Sequence, residues 1–373
     1  MSVRFTRSRA RAGIAVAAVA AVAAATTAVA AAPAWAAGGF LTSLDHISTV
    51  ASTVPTNADV NPYGVAVVPA SIGRLHRGDV LVSNFNDAAN SQGTGTTVVE
   101  ITPGGRRVVF ARISPGQVPG GVGLTTALVV LRSGWVLVGN LPTSDGTSAT
   151  ARAGSLLLLD AWGRLRSIWT GNHLNGPWDA TAADFGDHAE IFVTNVLNGT
   201  VAHSPHTVFA GTVVRLAVRI GDQLPQVESS TVVGSGFPER TDPAALVVGP
   251  TGLALGTGGA LYVADTVRSR IAAIPDALSR TGSAGDGITV RAAGPLNQPL
   301  GLTVAPGGDL VTVNGGDGRA VEVSPSGTLV AVRWLDRSGA PPGAGALFGL
   351  AVSPNGQSLY FVDDATNTLD RAS

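Results

Sequence analysis

Pro299-Leu300-Gly301-Leu302-Thr303-Val304-Ala305-Pro306-Gly307-Gly308-Asp309-Leu310-Val311-Thr312-Val313-Asn314 is the stretch that decides the fold. It reads as a short apolar strand entered through Pro-x-Gly, a turn at Pro306-Gly307-Gly308, and a second apolar run that stops on Asn. A third run, Ala320-Val321-Glu322-Val323, follows after a polar gap. Large apolar residues alternate with small ones, as in strands covered on both faces.

The second run recurs along the chain. Val80-Leu81-Val82-Ser83-Asn84, Val136-Leu137-Val138-Gly139-Asn140, Ile191-Phe192-Val193-Thr194-Asn195, Leu261-Tyr262-Val263-Ala264-Asp265 and Leu359-Tyr360-Phe361-Val362-Asp363 match Leu310 to Asn314. The steps between the final residues are 56, 55, 70, 49 and 49. A repeat near fifty residues with several short strands in each unit predicts an all-β, six-bladed propeller. Residues 37–373 are expected to form it. Asp45 to Ala51 precedes the first unit and has no partner there. The last unit has only a short third strand, Asn367 to Arg371. Pairing of these two segments is expected to close the ring and remove its exposed edges.

Residues 1–36 read as a secretory leader. Arg4, Arg7, Arg9 and Arg11 precede the apolar stretch Ile14 to Val29, and Ala34-Trp35-Ala36 supplies small residues for cleavage. The stretch is short for a membrane span, and no later run is long enough. A secreted protein with no membrane span in the mature chain is expected. Four of the 24 basic residues and none of the 25 acidic ones lie in the leader, leaving residues 37–373 a formal charge of −5. That balance offers no basic field for nucleic acid. All basic residues are Arg, and Cys is absent. Lysine bases, Schiff bases, thiol nucleophiles, thiolate metal sites and disulfides are therefore excluded. Stability must come from a packed core, which a chain of this length can bury.

Leu261-Tyr262-Val263 followed by Asp265-Thr266-Val267-Arg268-Ser269-Arg270-Ile271 resembles the strand–turn–strand pattern of NHL-repeat propellers. Asn314 to Arg319 and Asp363 to Asn367 are looser versions. The wider six-bladed group includes gluconolactonase/regucalcin-like enzymes. The likeness covers most of residues 45–371 as architecture and is specific in blade four. It implies that the Asp ending a second strand is structural, accepting bonds from N–H groups of the following turn. Asn84, Asn140, Asn195, Asp265, Asn314 and Asp363 are read mainly as such clamps.

Function is sought where the repeat breaks. Tyr63, Trp178 and Phe348 occupy one equivalent position, just before the first-strand Gly, although Trp, Tyr and Phe total only 19 residues. They are expected either to rim the mouth of the central channel and bind a ligand by stacking, or to pack between blades. The Gly itself, present at Gly64, Gly252, Gly301 and Gly349, is Ala127 in blade two and Asp179 in blade three. Asp179 is expected to orient a ligand hydroxyl or hold a hard cation, or else to cap its own turn. A lactonase-like site would gather Asp179, Asn195, Asn314 and Asp363 around one divalent, calcium-like ion that polarises an ester carbonyl. The six His residues read as exposed, His203-x-x-His206 lacks a third zinc ligand, and no Gly-x-Ser-x-Gly elbow occurs. The leading expectation is a monomeric binding module for a small molecule, glycan or protein. The rival is a metal-dependent hydrolase or lyase at the channel.

Overall fold

The computed structural model of the chain describes Met1, residues 38–221 and residues 223–373. The expected leader, residues 1–36, therefore lies outside the described residues apart from Met1.

Six antiparallel sheets follow one another. Blade one is β2 (Val60–Val67), β3 (Val80–Asn86), β4 (Thr97–Ile101) and β5 (Arg107–Arg112). Blade two is β6 (Leu124–Val130), β7 (Val136–Asn140), β8 (Ser155–Leu159) and β9 (Leu165–Trp169). Blade three is β10 (Pro177–Asp184), β11 (His188–Asn195), β12 (Val208–Arg219), β13 (Gln226–Asp242) and β14 (Leu246–Val248). Blade four is β15 (Pro250–Leu255), β16 (Leu261–Asp265), β17 (Arg270–Ile274) and β18 (Ile288–Ala292). Blade five is β19 (Pro299–Val304), β20 (Leu310–Asn314), β21 (Arg319–Val323) and β22 (Leu329–Trp334). Blade six is β23 (Leu347–Val352), β24 (Leu359–Asp363), β25 (Thr368–Ala372) and β1 (Ile47–Ser52).

The ring closes as the sequence predicts. β1 pairs antiparallel with β25, Ile47 facing Ala372 and Ser52 facing Thr368, and His46 and Ser373 exchange two 2.8 Å backbone hydrogen bonds. The longest step between second strands, 70 residues from Asn195 to Asp265, holds β13, a 17-residue strand paired along β12.

The inner strands share one irregularity that explains Pro-x-Gly. Pairing with the second strand slips between Pro62 and Val65, Pro177 and Ala180, Pro250 and Leu253, Pro299 and Leu302, and Leu347 and Leu350. Each slip is a bulge on a strand that is an edge toward the axis, where Pro is tolerated because no ladder N–H is missed. Gly sits in the bulge because the next blade leaves no room. A Cβ on Gly252 would overlap Leu300 O, on Gly301 Phe348 O, and on Gly349 Tyr63 O. Second-strand hydroxyls serve the bulges. Gly64 N–H donates to Ser83 Oγ (2.9 Å), which donates to Thr125 O of blade two (2.8 Å). Asp179 N–H donates to Thr194 Oγ1 (3.0 Å), and that hydroxyl donates to Thr251 O of blade four (2.9 Å). The bulges thus lock neighbouring blades together.

Candidate functional site

The inner strands carry a burial gradient along the axis. In β19 and β23 the first four residues are buried and the last two partly exposed. In β10 Pro177, Trp178 and Asp179 are buried, and Ala180 to Asp184 are partly exposed. The axis is therefore sealed where the inner strands begin and open where they end.

Rings make the seal. Tyr63 stacks on Phe348 with centroids 4.1 Å apart and on Phe85 at 4.4 Å, and Trp178 lies 6.1 Å from Tyr63. Tyr63, Trp178 and Phe348 are 1%, 2% and 2% exposed. The three residues do converge, but they do not rim an open mouth, which corrects the first of the two expectations held for them. Bulky rings from three blades meet where the strands crowd the axis, and each covers the others. Leu141, Leu197, Ala245 and Leu246 to Val248 complete the cluster, so loops and β14 roof the rings. Trp178 Nε1–H donates to Val247 O (3.1 Å), and the blade-one loop reaches the roof through Gln92 Nε2–H to Pro243 O (2.9 Å). The long connections in blades one to three thus close this end.

Behind the seal lies a cavity of about 340 Å³ lined by the inner strands of all six blades. Val65, Leu128, Leu253, Leu302 and Leu350 line it together with Thr126, Thr181 and Thr303, and more of its exposed wall is polar than apolar. Asp179 lies at its blind end and Asp184 at the other end of the same strand. Leu253 N–H of blade four donates to Asp179 Oδ2 (2.9 Å). Burial outweighs that bond and pushes the Asp179 carboxyl up to about 7. Near neutral pH this group is divided between acid and carboxylate. Thr126, which sequence reasoning passed over, also lines the cavity. It is 5% exposed, and its Oγ1 has no hydrogen-bond partner among the described residues.

The oxygens expected to share a divalent ion are committed elsewhere. Asn195 Oδ1 accepts Asn175 N–H (2.7 Å), and Asn314 Oδ1 accepts Asn297 N–H (3.1 Å). Asp363 Oδ1 accepts Thr366 N–H (3.3 Å). Of the four, only Asp179 lines the cavity. Asn195, Asn314, Asp363 and Asp179 thus do not fit a calcium-like centre at the channel, and the physical reason is the repeat itself. Three of them hold turns. The turns held also differ from expectation. Asn140, Asn195 and Asn314 accept from the segment leading into their own blade's inner strand, and Asn140 and Asn314 return Nδ2–H bonds to Gly121 O and Pro295 O. An amide is needed to serve both an N–H and a C=O. Asp265 and Asp363 accept from the following turn, as expected. Asp265 is further neutralised by Arg270, whose Nε–H reaches Oδ2 at 2.7 Å.

Other buried acids lie outside the channel. Burial pushes Glu239 on β13 up to about 7. Asp364 rises to about 7 through burial and the nearby charge of Asp363. Among the described residues no helix is long and apolar enough to cross a membrane.

No protein-family profile matches the chain, and no curated protein matches it. Solved structures do. A gluconolactonase from Xanthomonas campestris, described as important in glucose secondary metabolism, superposes with TM-score 0.53 at 17% identity, over 87% of this chain and 88% of its own. Virginiamycin B lyase from Staphylococcus aureus gives 0.50 at 14% identity, over 87% and 98%. Regucalcin from Agrobacterium tumefaciens, a calcium-binding protein, gives 0.50 at 14%, over 84% and 90%. What they share with this chain is the six-bladed fold.

Proposed function

We propose that the channel is a binding site for a small molecule with both polar and apolar parts, which enters at the Asp184 end and meets Asp179 and Thr126 at the blind end. The carrying observation is Asp179: a titratable carboxyl at the base of a cavity of mixed lining, with its titration moved towards neutral pH by burial. In its protonated form it donates a hydrogen bond to a ligand oxygen. We also propose that the protein acts outside the membrane after loss of residues 1–36, which N-terminal sequencing of exported protein would check as a start at Ala37.

A second reading is hydrolysis or elimination of an ester-like substrate. It is favoured by the same proton, because a group titrating near 7 suits general acid–base work. Gluconolactonase and lyase activities are known for proteins of this fold, and only the fold carries over. Any such chemistry here would rest on Asp179 and not on an ion held by Asn195, Asn314 and Asp363.

γ-Nonalactone serves as one probe for both readings, since it joins an acceptor carbonyl to an apolar tail. Calorimetric titration at pH 6 and pH 8 is expected to show binding that weakens at the higher pH, as the acid loses its proton. Leu350→Trp, which fills the cavity, should abolish binding. Binding unchanged in that variant would remove the channel from consideration. Release of acid from the lactone, lost in Asp179→Asn, would promote the second reading over the first.

A further inference from the structure

We infer that His76, Asp79 and Glu100 form a divalent transition-metal site on blade one, separate from the channel. His76 and Asp79 lie on the loop between β2 and β3, and Glu100 on β4, where its strand neighbour is Leu81 of β3. One ligand atom from each of the three lies within 4.8 Å of the other two. His76 Nδ1 is 3.8 Å from Asp79 Oδ2 and 3.8 Å from Glu100 Oε1. Ligands on a tetrahedral ion with bonds near 2.1 Å stand roughly 3.4 Å apart, so each carboxylate need approach the imidazole by only a few tenths of an ångström, and the two carboxylates, within 4.8 Å of each other, must close together as an ion is seated.

Burial and pairing point the same way. The side chains of Asp79 and Glu100 are 9% and 3% exposed, and that of His76 is 61% exposed. Among the described residues the Asp79 carboxylate accepts no hydrogen bond, its nearest partner being the imidazole at 3.8 Å. Two adjacent buried carboxylates facing one imidazole leave negative charge that a cation would offset. Arg74 and Arg106 offset part of it from a distance, but neither bonds a carboxylate of the pair, and the Arg74 guanidinium donates to Val109 O and Phe110 O.

The loop is also held in place without an ion. His76 N–H donates to Glu100 Oε1 (3.1 Å), Asp79 N–H to His76 O (3.0 Å), and Ile72 bridges to Leu75. Such support keeps ligands close to a binding geometry. One imidazole nitrogen and two carboxylates suit zinc, manganese or cobalt better than calcium, which takes oxygen ligands alone. Three protein ligands leave a coordination position on the exposed imidazole side. The ion would tie the β2–β3 loop to β4 at the end of the blade where the channel opens.

The test is metal binding by the whole protein after stripping with EDTA. Zinc titrated against a chromophoric chelator is expected to bind at one equivalent, and cobalt to give visible absorption. His76→Ala, an exposed change, and Glu100→Gln, which keeps the acceptor for His76 N–H, should each weaken zinc at least tenfold, with circular dichroism unchanged. Asp179→Asn and the double change His203→Ala/His206→Ala should leave binding intact. No zinc or cobalt bound by the wild type, full binding retained by His76→Ala, or loss in the His203/His206 variant would each overturn the site. The first two outcomes would leave His76 as an ordinary ion-pair partner of the two acids.

Discussion

Blade five and blade three are built on the same kind of bulged inner strand, and the contrast lies in the residue at its Gly position. Blade five has Gly301, pressed against Phe348 O of blade six with no room for a side chain. Blade three has Asp179, whose carboxyl reaches Leu253 N–H of blade four and also lines the channel. Blade five spends the position on closing the ring. Blade three spends it on a buried titratable group and keeps the blade contact through a side chain. The repeat therefore specifies the scaffold, and the bulge of blade three places a carboxyl on the channel wall.

The sharpest way to break that contrast is to exchange the residues. Gly301→Asp is expected to prevent folding, because the new side chain has no space at the blade five–six junction. Gly301→Ala, with a single methyl to accommodate, should cost about 1–3 kcal/mol in urea denaturation. Wild-type stability in the Ala variant would show that the junction yields and that Gly is not required. Tyr63→Ala should cost about 3–5 kcal/mol by removing the centre of the ring stack and leaving a cavity. It should also open the sealed end, read as dye access to Trp178 by fluorescence quenching.

The scaffold was legible in the sequence because it repeats. Six apolar runs ending in Asn or Asp mark six second strands, and the unpaired stretch around Ile47 marks the closing strand. The site was legible only in part. Tyr63, Trp178 and Phe348 stood out by type and position, but whether rings at an axis line a hole or fill it depends on how many meet and what covers them. Phe85 and the Ala245–Val248 roof lie in segments with no repeat to align. Asp179 was visible as a missing Gly. Glu100 was not, since it alternates on β4 like any strand residue and meets His76 only through the pairing of β3 with β4.

Asp179→Asn sharpens the comparison through pH. A carboxyl raised from 3.8 to about 7 on folding gives stability that is fully present below pH 4 and is lost as pH rises through 7. Wild-type stability should therefore fall over that window. The amide keeps an acceptor for Leu253 N–H and cannot ionise. The variant is expected to lose roughly 2–3 kcal/mol of that dependence, measured by urea midpoints from pH 4 to pH 8. Identical slopes in the two proteins would mean that Asp179 is solvated well enough to ionise normally, and the proposed donor at the channel base would go with it.

The smallest effect is expected at Asp363, where blade six carries an acid and blade five the amide Asn314. Burial, with the charges of Asp336 and Asp370, pushes Asp363 up to about 6. Its Oδ1 accepts Thr366 N–H, a bond that an amide oxygen can also accept. The sign is the same as for Asp179: the charge opposes folding once pH exceeds about 6, and the penalty vanishes below 4. Asp363→Asn should thus stabilise the protein by about 1 kcal/mol at pH 7.5 and leave it unchanged at pH 4. A loss at pH 7.5 would mean that the carboxylate holds something an amide cannot. Asp363 would then return as a cation ligand, and blade six would join blade three as a place where the repeat carries chemistry.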